Sequence, residues 1–211
     1  MKKRQLKYLM IGAVLSGATV AVKKVLDKSQ HVERIIIDFT GDYESNGWNP
    51  LDAVDESPDK AKAAKTISSL LLQLASNDNR QFGKAEKTLL ASVILYVNKT
   101  NDNTLMHVCN VLSEMASIGD EFDYDTLPAI INSQWDTFKS MPYKTRQNII
   151  ENILIALENY DIETYADILE GGDIRFSDFL KGNYEITLIE HEERPLLASL
   201  FEHMLIAFEG L

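Results

Sequence analysis

One cysteine, four histidines and no uncharged run longer than 15 residues mark what this 211-residue chain lacks. With Cys109 alone, no disulfide closes within the chain and no cysteine-based zinc site can be built. Cys109 falls inside the apolar pattern of Met106, Val108, Val111 and Leu112, which predicts a buried, inert thiol in a reducing compartment. His31, His107, His191 and His203 are scattered, and none forms the H-x-x-x-H or H-E-x-x-H pair that a helical metal site needs. No G-x-S-x-G elbow is present, and no run of four aliphatics ends in an acidic pair. Neither a catalytic residue nor a metal ligand is therefore assigned. No fixed-period self-similarity is seen, which excludes a helical-repeat solenoid.

Charge of one sign is unevenly spent. Residues 1–34 carry eight Lys or Arg against Asp27 and Glu33, a net of +6. The remaining residues hold 13 basic and 30 acidic side chains, a net of −17. A body this acidic repels phosphates over a Debye length of about 10 Å, so a basic protein suits it better than bare DNA.

The uncharged run, residues 8–22, is open to two functional readings besides plain core packing. As a helix it would span about 22 Å, short of a hydrocarbon core of about 30 Å. Lys2, Lys3, Arg4 and Lys7 ahead of it resemble the start of a signal or membrane anchor, which would associate residues 1–30 with a membrane. Alternatively, residues 12–19 follow the frame G-x-x-x-x-G-K-[ST], with Ala18 at the lysine position. In that reading residues 6–11 are a strand, 19–27 a helix and 32–39 the next strand. Gly12, Gly17 and Thr19 would then surround a phosphate of ATP with its Mg ion, without the lysine that efficient hydrolysis requires. Asp38, ahead of Thr40-Gly41-Asp42, reads as a strand-terminating turn residue.

From residue 57 onward apolar side chains recur at helical spacing. A first helix is predicted over 57–76, with Ser57 as cap and Pro58 in the first turn. Others follow over 84–97, from Asn103 or Thr104 through Ile118, and over 126–131, 144–158, 162–169 and 176–181. Residues 184–189 alternate like a strand, and Pro195 opens a last helix. The expected fold is mainly α: a helical domain inserted into a small α/β, P-loop-like unit, with strands from both ends side by side. The divisions are a basic βαβ-like segment over 1–47, an all-helical domain over 48–182, and a returning strand and helix over 183–211.

An ordered set of signals adds to this. An Ile/Asp strand runs into Trp48-Asn49-Pro50-Leu51, then a Ser-Pro-opened helix, then Lys84-Ala85-Glu86-Lys87-Thr88-Leu89-Leu90 and Val93-Ile94-Leu95-Tyr96. Near the end, a strand precedes Arg194-Pro195-Leu196-Leu197-Ala198-Ser199-Leu200-Phe201. Over residues 32–211 this set resembles the conjugative type IV secretion coupling proteins. The resemblance implies the family's cytoplasmic all-α domain, which recognises a relaxase or relaxosome accessory protein, with DNA reached through that partner. It implies a location in the cytoplasm or at the cytoplasmic face of the cell membrane, with ATP hydrolysis left to the surrounding motor domain; no cofactor is expected outside the phosphate-loop reading. The acidic linker Asp120, Glu121, Asp123 and Asp125 is the expected contact for a basic partner.

Overall fold

The computed structural model describes residues 3–10, 33–40, 44–76, 81–129, 132–170, 175, 184–191 and 196–208. It is mainly helical, with one small sheet. Strands β1 (Lys3–Met10) and β2 (Glu33–Asp38) come first. Among the described residues seven helices follow: α1 (Asp52–Glu56), α2 (Lys60–Leu74), α3 (Lys84–Val97), α4 (Leu105–Ile118), α5 (Asn132–Lys139), α6 (Tyr143–Glu158) and α7 (Ala166–Leu169). Strand β3 (Tyr184–His191) and helix α8 (Leu196–Ala207) close the described chain.

Local chemistry sets the long helices. The Asp59 carboxylate accepts the Lys62 N–H at 2.9 Å and starts α2. The Gly83 N–H donates to Glu86 Oε2 at 3.1 Å at the head of α3, and Thr104 Oγ1 accepts the His107 N–H at 3.1 Å at the head of α4. Gly119, at φ 68°, ends α4 in a conformation that side-chain-bearing residues rarely adopt. Tyr160, buried after α6, donates its hydroxyl to the Leu71 carbonyl at 2.7 Å, an oxygen that also accepts the Ala75 N–H at 3.2 Å at the end of α2.

Helix boundaries correct the sequence reading in three places. The helix expected from Ser57 begins at Lys60, because α1 intervenes and Ser57 is its extended terminator. The helix expected over 126–131 is absent from its described residues. A short 3-10 turn, Tyr124–Thr126, occupies its start, and α5 begins only at Asn132. The helix expected over 162–169 is reduced to the single turn of α7. The helices expected over 19–27 and 176–181 lie outside the described residues.

The sheet has the order β1-β3-β2, so the last strand in sequence is central. β3 pairs in parallel with β2, from Glu33↔Tyr184 to Asp38↔Ile189, as the side-by-side expectation required. It pairs antiparallel with β1, from Lys3↔His191 to Met10↔Tyr184. β1 therefore runs opposite to β2 with β3 between them. A βαβ unit needs two parallel strands joined by a crossover, so the βαβ-like reading of residues 1–47 does not hold. Residues 8–10 of the uncharged run are strand; Gly12, Gly17, Ala18 and Thr19 lie outside the described residues.

The outer edge of β2 is closed locally. Ile36 and Asn46 exchange two bonds, Ile36 N–H to Asn46 Oδ1 at 3.0 Å and Asn46 N–H to the Ile36 carbonyl at 2.7 Å. Asp38 N–H donates to Ser45 Oγ at 2.9 Å. Asp38 Oδ1 accepts both the N–H and the hydroxyl of Thr40, the strand-terminating turn expected of it. An edge capped in this way resists pairing with another chain.

One contiguous apolar core joins Ile35 and Ile37 of β2 and Ile186 and Leu188 of β3 to the helices. Trp48 sits at its pivot, fully buried, with its ring edge-to-face on Phe201 of α8 at 4.8 Å. The Trp48 backbone N–H donates to the Ile168 carbonyl of α7 at 2.6 Å. Asn49 turns the chain: Oδ1 accepts the Leu51 N–H at 2.9 Å while Nδ2 donates to the Asn103 carbonyl at 2.6 Å. Trp48, Asn49 and Leu51 are all buried, so this joint ties the sheet, α7, α8 and the α3–α4 loop together.

Candidate interaction surface

The acidic linker forms the corner between α4 and α6. Most of its charge is already employed inside the molecule. Asp120 pairs with Arg146, and Asp125 accepts from Lys139 Nζ at 2.6 Å, which raises the Lys139 pKa above its ordinary value. Asp123 Oδ1 accepts the Asp125 N–H at 3.0 Å and opens the 3-10 turn Tyr124–Thr126. Glu121 is exposed and has no side-chain partner among the described residues. Of the four expected contact residues, it alone offers a carboxylate not spent on the corner's own structure.

Arg146, which the sequence reading missed, organises this corner. Its Nη1 donates to the carbonyls of Lys139 at 3.0 Å and Met141 at 2.7 Å, ends left unpaired where α5 stops. Its Nη2 meets Asp120, and its guanidinium carbon lies 5.3 Å from the centre of the Tyr124 ring. Burial raises the Tyr124 phenol above its ordinary pKa, against the lowering influence of Arg146. Behind it, Phe122, Tyr124, Phe138 and Trp135 pack ring to ring, and the last three are buried.

Two large apolar side chains stand out of the same corner. Ile118 is 40% exposed and Tyr143 46% exposed. Helical spacing from Val111 and Met115 would turn Ile118 inward, yet α4 stops there and Gly119 swings the chain away. The Tyr143 ring lies over Gly119, so close that a Cβ on Gly119 would sit 2.8 Å from the Tyr143 hydroxyl. The missed signal was an Ile-Gly step closing an amphipathic helix next to an acidic run.

No family model matches this chain, and no curated protein or solved structure does either.

Other sequence candidates separate from it. Among the described residues no group of His, Cys, Asp and Glu could hold a metal ion. Cys109 is partly buried, and burial, with Glu158 adding to it, raises its thiol to about 11, which leaves it a poor nucleophile at neutral pH. His203 is exposed, with Nδ1 2.7 Å from the Ser199 carbonyl of its own helix. Among the described residues no helix is long and apolar enough to cross a membrane.

A second acidic group, overlooked in sequence, flanks the joint. Asp52 opens α1, and its carboxyl is pushed up to about 6, first by burial and then by Glu56 and Asp55, against the pull of Arg175. Asp55 is tied down beside it, accepting from Lys60 Nζ at 2.9 Å and Asn103 Nδ2 at 3.1 Å. Lys60 also reaches Asn98 Oδ1 at 3.1 Å. These bonds lock α1, α2 and the α3–α4 loop and present no open site.

Proposed function

We propose that this chain is a substrate-recognition module of a conjugative DNA-transfer coupling protein, docking a relaxase or relaxosome accessory protein through the α4–α6 corner. The helices form an inserted domain, and β2, β3 and α8 are the remnant of the α/β unit it interrupts. The observation that carries this reading is the parallel pairing of β2 with β3 across everything from α1 to α7, with the Trp48-Asn49-Pro50-Leu51 joint buried where the excursion begins. Such a frame returns the chain to its starting strand and makes the intervening helices an excursion on which a partner can dock. The net −17 beyond residue 34 favours basic cargo.

The reading carries no hydrolytic role for this chain. A phosphate loop after β1 would follow a strand running against β2, and Ala18 stands at its lysine position. The test is a pull-down of the purified full-length chain with its cognate relaxosome proteins. Retention that falls when Glu121 and Asp123 are both replaced by Lys supports docking at the corner. Retention untouched by that reversal counts against this assignment.

A further inference from the structure

We infer that Ile118 and Tyr143 form the apolar anchor of a docking surface for a basic protein segment that carries a leucine-like side chain. This rests on the cargo-docking reading and specifies its partner chemistry. Three observations carry it. First, these are two of only four large apolar side chains that stand exposed among the described residues, and both belong to one corner, joined through the Gly119 contact. Second, the surrounding charge is complementary to a base: residues 114–147 hold six carboxylates against Lys139, Lys144 and Arg146, and two of those cations are already paired. Third, Tyr124 is 91% buried at this corner with a hydroxyl that has no partner at bonding geometry among the described residues, in reach of the charges of Asp120 and Arg146 and of the Tyr143 phenol. A buried donor left unmet is uncommon, and with its oxygen shut off from solvent a partner's carbonyl would reach it only as the corner opens on docking.

The acids and the apolar pair then divide the labour. Carboxylates held by Arg146 and Lys139 cannot also hold a partner tightly, but their field and that of Glu121 still attract one. Tight contact falls to Ile118 and Tyr143, whose exposed surface loses water on docking.

The experiment uses the full-length, isotope-labelled chain and three labelled helical peptides: one of lysine and leucine, one of lysine alone, one of glutamate and leucine. The lysine–leucine peptide is expected to shift backbone amide resonances of residues 117–124 and 143–147. The all-lysine peptide is expected to bind at least about tenfold more weakly, and the glutamate–leucine peptide not at all. Ile118→Ser should weaken the lysine–leucine peptide about tenfold with the rest of the spectrum unchanged. If that variant does not fold, Tyr143→Ser is read in the same way. Shifts centred elsewhere, equal binding of the all-lysine peptide, or indifference to both substitutions overturns the inference. A wild-type chain that sediments as a dimer, and an Ile118→Ser chain that sediments as a monomer, would instead make a second copy the occupant and overturn it too. If relaxosome proteins bind without disturbing these residues, the cargo reading stands and the anchor falls. If the peptide binds here while relaxosome proteins do not bind at all, the outcome is reversed.

Discussion

Replacing Trp48 by Ala should unfold the sheet and the helices together. Trp48 is fully buried, and its removal deletes the edge-to-face contact with Phe201 of α8 as well as the packing at the joint. Large-to-small substitution of a buried Trp costs about 3–5 kcal/mol, of which the aromatic pair accounts for about 0.5–1.5 kcal/mol. The backbone N–H bond to Ile168 survives, since it does not depend on the side chain. Against a total of about 5–15 kcal/mol for a domain, the loss is at least about a fifth of the stability and at most all of it. Trp48→Phe is the informative control. The indole Nε1 is buried without a partner among the described residues, so a phenyl ring gives up volume while removing an unmet donor. Its net cost should stay below about 1.5 kcal/mol, because relief of that donor, about 1–3 kcal/mol, offsets the smaller ring.

The assay is urea denaturation, followed by far-ultraviolet circular dichroism for the helices and by tryptophan fluorescence, which comes from Trp48 at the joint and Trp135 in the wild type and from Trp135 alone in both variants. One shared transition, shifted to lower urea in Trp48→Ala and little changed in Trp48→Phe, is expected. Two separate transitions, with only the helical signal unaffected by Trp48→Ala, would refute the single-core argument. Equal destabilisation by Ala and Phe would refute the claim that the indole nitrogen is unmet.

Two further outcomes follow from individual groups. Because the native Asp52 carboxyl titrates near 6 rather than at its ordinary 3.8, the folded state holds this proton more tightly than the unfolded state. Its charged form therefore costs stability above pH 6, and the cost vanishes as pH falls towards 4. Discounted for its partial exposure, the cost is about 1 kcal/mol at pH 7. Asp52→Asn should raise the melting temperature at pH 7.5 and leave it unchanged at pH 4; an equal gain at both would rule out titration as the cause. Arg146→Lys should cost about 1.5–3 kcal/mol, since one ammonium cannot serve two carbonyls and Asp120 while lying over Tyr124. A melting temperature within 2 °C of wild type, about 0.5–1 kcal/mol at this size, would show that the corner closes without the guanidinium.

The parts of this fold that were legible in sequence are those whose signals are local. α3 and α4 carry a capping group, three or more apolar turns and a breaker, and their bounds follow from those residues. Ser57 and Asp59 are both good caps, and only the presence of α1 decides between them, because Ser57 is occupied in receiving the Asp59 N–H at 3.2 Å. α5 escaped notice because its eight residues bury only Trp135 and Phe138 among their described side chains, too few to establish a period. Strand existence could be read from alternation, but strand direction could not. Whether β1 runs with or against β2 depends on β3, which lies more than a hundred residues away, so the βαβ reading had no local check. Arg146 was invisible for the same reason: its three acceptors come from Lys139, Met141 and Asp120, on both sides of α5.

The acidic residues show how composition and structure divide in their bearing on function. Asp38 closes a turn, Asp59 caps α2, Asp55 locks Lys60 to Asn103, Asp102 meets His107 at 2.9 Å, and Asp120, Asp123 and Asp125 build the corner. Hydrogen bonds within the chain fix where these carboxylates point but leave their charge in place, so the field outside the molecule stays negative even where no carboxylate is available to touch. An approaching base is accelerated by that field within about one Debye length and finds few ligands on arrival. Residence must then come from surface that releases water, and at this corner that surface is Ile118 and Tyr143. Raising salt from 50 to 300 mM should accordingly slow association of a basic partner severalfold while changing its dissociation rate by less than about twofold. A dissociation rate that rises with salt as steeply as association falls would place the holding contacts on the carboxylates instead.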